Sequence, residues 1–151
     1  MNFDHLLIIK TFQIIDREGL FMSLLVNPKE RIVNVAVDGY KISLVLRQYT
    51  MNEFANFMEQ RFSFKHTGEV NDKSMTARVH FVDQLLVDIR AEDEDGRKEE
   101  ILFNDPKTNE QKQLTSQVPN WKEFIDASWK IATAIKLEQQ AAQLESNVLK
   151  N

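Results

Sequence analysis

Three aspartates and one arginine come closest to a catalytic set in this chain. Asp72, Asp83 and Asp88 fall in a 17-residue window, and Arg90 follows Asp88 across one intervening residue. Metal-dependent nucleases need carboxylates near a strand end and a cation beside the attacking water. The cation here is an arginine, where a titratable lysine would be expected. Carboxylates at strand edges and turns also serve solubility, so the set assigns no reaction, and the chain is read as a non-catalytic protein. His5, His66 and His80 are spread over three elements without metal-ligand spacing. The acidic run 92–95 ends at Gly96, but Leu102 stands where a calcium loop needs its bidentate glutamate, so the run reads as a solvated hairpin tip. With only 4 Gly there is no phosphate-cradling loop and no Gly-x-Ser-x-Gly elbow. No metal and no cofactor is expected.

Composition narrows the class further. The 151 residues include no Cys, which excludes disulfides, thiolate zinc and a cysteine nucleophile. A chain of this length buries roughly 68–70% of its unfolded surface, enough for one core, so 1–151 reads as a single domain. The apolar runs at 6–9 and 24–26 are far shorter than the ~20 residues that cross a bilayer, and Asp4 sits where a signal peptide would be basic. A cytoplasmic protein without membrane attachment is the expectation. The net charge of −4 is unevenly divided: residues 1–66 carry eight Lys/Arg against seven Asp/Glu, residues 67–151 eleven against sixteen.

The elements that must position any site follow from local patterning. Asp38-Gly39 between two β-branched runs predicts a two-residue type I′ hairpin over 32–47. Pairing Val37 with Tyr40 places Val33, Val35, Val37, Tyr40, Ile42, Leu44 and Leu46 on one apolar face. Ile32, Asn34, Ala36, Lys41, Ser43, Val45 and Arg47 then share the other. Runs 6–15 and 20–26 predict two earlier strands, completing a four-strand meander, although Leu7, Thr11 and Ile14 of the first run would also line one side of a helix. Thr50 and Glu53 form a capping box that opens a helix with Met51, Phe54, Met58 and Phe62 at helical spacing. Alternation over 75–82 (Met75, Ala77, Val79, Phe81 against Thr76, Arg78, His80) predicts a strand, with others at 85–89 and 97–103. A loop over 104–119 precedes a long helix, 121–149, capped by Asn120 with Glu123 at N3. The fold class is thus α+β: an antiparallel meander of seven or eight strands, a mid-chain helix and a long C-terminal helix.

With a short strand placed within 65–70, this order reads as four strands and a helix, twice over. In element order it resembles the whirly and PUR-type single-stranded nucleic-acid-binding domains, which implies sheet-mediated binding of a single strand and transfers no individual residue. Outward-facing Lys41, Ser43, Arg47, Arg78, His80 and Arg90 would form the basic strip such binding needs. The alternative is a small acidic adaptor or chaperone that presents apolar strips to a protein client, with Ile32, Val45, Phe21 and Met22 as candidates. The C-terminal helix carries the stripe Trp121, Phe124, Ile125, Trp129, Ala132, Ile135, and at about 43 Å it is longer than one domain requires. A homodimer sealed by Trp129, Ile135, Leu144 and Val148 is expected.

Overall fold

The computed structural model describes residues 30–150. The two strands expected at 6–15 and 20–26, together with His5, Phe21 and Met22, lie outside the described residues. The chain divides into units 1–31 and 32–151, and the second carries every element below apart from the first two residues of β1.

Strands β1 (Glu30–Val37) and β2 (Tyr40–Arg47) flank Asp38 and Gly39, whose φ angles of 47° and 84° are the two positive values a type I′ turn demands. The apolar face falls where alternation puts it. Val33, Val35, Ile42, Leu44 and Leu46 are buried, while Tyr40 at the turn end remains 46% exposed. The sheet runs β1-β2-β5-β6, so the neighbour of β2 is β5 (Leu86–Glu92), which arrives after 38 intervening residues. The pairs Ile42–Ala91, Leu44–Ile89 and Leu46–Leu86 extend the apolar face, with a bulge at Val87. Strand β6 (Lys98–Glu99) adds Glu99 to the row of Ile42 and Ala91, and sets Lys98 opposite Glu92 on the other face.

Helix α1 (Met51–Gln60) opens with the expected capping box, both halves of which are formed. It buries Phe57 with Phe54 beside it, whereas Met51, Met58 and Phe62 are exposed, so the packed stripe is not the one that spacing from Met51 suggests. The hairpin of β3 (Phe62–Phe64) and β4 (Val70–Asp72) leads into α2 (Ser74–Leu85).

Helix α2 overturns the strand expected over 75–82. Of its buried residues, Ser74, Ala77, Phe81 and Leu85 are spaced three, four and four apart with Val82 beside them, a helical stripe that coincides with strand alternation over the shorter window. The stripe closes on the sheet and α1, where Phe81 stacks on Phe57. Four strands in a row are therefore not repeated after α1.

The segment expected as one strand at 97–103 is broken between β6 and β7 (Leu102–Asn104). The loop at 104–119 contains β8 (Gln111–Gln113), which pairs with β7. Asn120 does not cap a helix. It adopts a left-handed conformation (φ 57°) ahead of a single 3-10 turn, Trp121–Phe124. Helix α3 (Ala127–Leu149) starts later, capped by Asp126, whose carboxylate accepts from the Ser128 amide at 2.7 Å. This shift changes the buried stripe to Lys130, Thr133, Ala134 and Leu137, leaving Ile135 exposed. The class is α+β with antiparallel sheets, a mid-chain helix and a long C-terminal helix. Among the described residues no helix is long and apolar enough to cross a membrane.

Candidate functional site

The second face of the sheet is the place to look for the expected basic strip. Directly opposed residues point the same way, so Asn34, Ser43 and Arg90 form one row and Lys41, Glu92 and Lys98 another. The second row alternates in sign, and Arg90 of the first has Asp88 two residues before it on the same strand. Lys41 Nζ lies 3.0 Å from Glu92, and Arg90 Nε lies 3.2 Å from Asp88. Ser43 is buried, its hydroxyl donating to Asn34 Oδ1 at 2.7 Å, which removes it from the surface. Arg47 forks onto the Glu53 carboxylate at 2.6 and 3.1 Å and also donates to the Gln48 carbonyl.

Arg78 and His80 are not on the sheet at all, because the segment carrying them is helical. Arg78 forks onto Glu138 of α3 at 2.8 and 3.3 Å, and Glu138 also holds Arg61 at 3.1 Å. His80 is exposed on α2. Of the six residues expected to form a basic strip, the sheet carries Lys41, Ser43, Arg47 and Arg90, each already bonded to a neighbour. The three aspartates are dispersed likewise: Asp72 accepts from the Ser74 amide, Asp83 pairs with Lys130, and Asp88 pairs with Arg90.

The Arg47–Glu53 fork has a pH signature. The Arg47 guanidinium, with the Thr50 amide behind it, lowers the Glu53 carboxyl from 4.5 to about 2. A carboxyl depressed in the folded state contributes stability that is complete above its unfolded value, and that contribution disappears as pH falls through the folded one. In thermal unfolding, the advantage of the wild type over Glu53→Gln should therefore hold above pH 4.5 and shrink toward pH 2. A gap that stays constant over that interval contradicts the role given to the fork.

A different feature lies at the turn end of the apolar face. There a cleft of about 350 Å³ opens. The sheet lines it with Val37, Tyr40, Ile42 and Ala91, the segment entering β7 with Ile101 and Leu102, and the first turn of α3 with Trp129. Asp38, Glu99 and Glu100 complete the lining, and their carboxylates hold no ion pair or side-chain hydrogen bond with any described residue. Lys41 and Lys98, the nearest cations in sequence, lie on the opposite face of the sheet. The result is an apolar slot with two aromatic rings and an entirely anionic set of charges.

The neighbouring acidic run behaves as a hairpin tip. Asp93 Oδ1 accepts from the amides of Asp95 and Arg97, and Gly96 takes the positive φ of 80°. Alternation placed Tyr40 on the apolar face without showing that the helical cover stops short of it. Glu99 and Glu100 carried no signal, because their place beside Ala91 depends on the β5–β6 register. Among the residues expected to seal a dimer, Trp129 lines the cleft, and Ile135, Leu144 and Val148 are exposed. No protein-family model, curated protein or solved structure matches the chain.

Proposed function

We propose that the chain is a non-catalytic binding protein whose partner is another protein, a short segment of which enters the cleft between Tyr40 and Trp129. The observation that carries this reading is the cleft itself: an opening at the turn end of the apolar sheet face, lined by apolar side chains and two aromatic rings, Tyr40 exposed and Trp129 half-buried. Concave, mainly apolar sites with a few directed polar groups are where proteins take up ligand groups, and at this volume the site seats one or two side chains. Nucleic acid draws less support, since Lys41, Arg47, Arg78 and Arg90, expected to hold phosphates, are each paired with a carboxylate and the open cleft is anionic. Other apolar candidates are weaker. Val45 is fully buried, and the exposed cross-strand pair Phe64–Val70 on the β3–β4 hairpin lies outside the cleft.

Selection from a displayed peptide library tests this directly, with Trp129→Ala as the parallel target and a labelled single-stranded oligonucleotide of about 30 nucleotides at low salt as the rival ligand. The expected result is enrichment of peptides that bind the wild type, lose at least about tenfold in affinity to Trp129→Ala, roughly 1.4 kcal/mol, and bind while the oligonucleotide does not. Peptides that bind both proteins equally, or a salt-sensitive oligonucleotide complex without peptide enrichment, would overturn it.

A further inference from the structure

The cleft's charges say which segment it would take. This step rests on the protein-binding reading above. Asp38 sits in the β1–β2 turn, Glu99 closes the Ile42–Ala91 row, and Glu100 follows it, so three carboxylates surround one small apolar opening. None has a partner among the described residues, in a protein where Lys41, Arg47, Arg61, Arg78, Arg90, Lys112 and Lys130 are all paired. Three carboxylates without a counter-charge give the opening a negative potential, which favours an incoming cation. An incoming anion meets three like charges at once, which excludes acidic segments and phosphate groups from the same slot.

The aromatic rings point the same way. Exposed Tyr40 and half-buried Trp129 both line the opening, and a cation within about 6 Å of an aromatic ring face is attracted by its quadrupole. Arginine suits both features, since its planar guanidinium stacks on rings and forks onto carboxylates, whereas lysine is a compact and strongly hydrated point charge. The aliphatic lining, exposed Leu102 with half-buried Val37 and Ile101, matches apolar side chains beside that cation. A metal ion would need a tighter cluster: among the described residues no three His, Asp or Glu are placed to hold one. We propose that the cleft receives a basic side chain, arginine in preference to lysine, flanked by aliphatic residues in the partner protein.

The test uses the full chain and three fluorescein-labelled nonapeptides with the same aliphatic flanks and arginine, norleucine or glutamate at the centre. Anisotropy titrations are run at about 20 mM and about 300 mM salt, where the screening length changes several-fold. The arginine peptide should bind at least tenfold more tightly than the norleucine peptide at low salt, and the glutamate peptide more weakly than either. That advantage should shrink at high salt and vanish in Asp38→Asn/Glu99→Gln/Glu100→Gln, with folding checked by circular dichroism. Equal binding of the arginine and norleucine peptides, weakened in Trp129→Ala and in the exposed-residue variant Tyr40→Ser, would overturn the basic partner and leave the docking cleft standing. Binding by none of the three peptides, or binding that neither variant weakens, would overturn both.

Discussion

Phe81→Ala should lower the unfolding free energy by about 3–5 kcal/mol, the range for removing a buried aromatic ring when the surroundings cannot close the space. Phe81 is 2% exposed and packs parallel to Phe57 with ring centroids 4.3 Å apart. Tyr49 and Phe54 meet it edge-on at 5.7 and 6.1 Å. The ring is thus the meeting point of α1, α2 and the chain leaving β2, and its loss removes aromatic pairing as well as buried area. Against a typical total stability of about 5–15 kcal/mol, this is a large fraction. Urea unfolding followed by circular dichroism measures it. A loss below about 1 kcal/mol would contradict the packing described here.

The second large effect concerns a buried lysine. Lys130, 4% exposed in the first turn of α3, places Nζ 2.7 Å from Asp83 Oδ1 and donates to the Lys122 carbonyl at 2.6 Å. Lys122 in turn donates from its own ammonium to the Asp83 carbonyl at 2.7 Å. The end of α2, the 3-10 turn and the start of α3 are fastened together through these bonds. Removing one member of a buried pair costs about 3–5 kcal/mol, because a charge is left without its partner. The Asp83 side chain is 34% exposed and water can partly replace the lysine, so about 2–3 kcal/mol is expected for Lys130→Met. Adding Asp83→Asn should recover at least half of that loss, as the uncompensated carboxylate is then gone. Chemical denaturation of both variants gives the comparison, and a double variant no more stable than Lys130→Met would contradict the pairing. Trp129 is the preceding residue, so Lys130→Met should also weaken peptide binding at the cleft.

Several elements were legible in the sequence because one local signal sufficed. Asp38-Gly39 fixed the hairpin and the parity of both faces, and the Thr50–Glu53 box fixed the start of α1. The acidic tip at 93–96 was readable from Gly96. Where two periods fit the same residues, the sequence misled: Ala77, Val79 and Phe81 alternate like a strand, and the distinguishing pair, Ser74 and Leu85, lies outside the alternating window. The C-terminal helix was misphased for a related reason. Asn120 and Glu123 imitate a capping box, while the working cap, Asp126, lies beyond the 3-10 turn that follows Asn120.

The basic strip was read from alternation alone, which shows neither cross-strand partners nor helical segments. Arg90 faces Ser43 only because β5 pairs with β2, a long-range register that local patterning does not contain. The cleft was illegible for the same reason. Tyr40, Glu99 and Trp129 lie far apart in the chain, and only the sheet order and the position of α3 bring them to one opening.

The most direct measurement is an amide and indole chemical-shift titration of the ¹⁵N-labelled protein with the arginine-centred peptide. Saturable shifts should concentrate on the Trp129 indole, on residues 38–42 and on residues 99–102. Shifts confined to the face of Ser43 and Arg90 or to the Phe62–Phe64 strand, with the Trp129 indole unmoved, would contradict the cleft as the binding site.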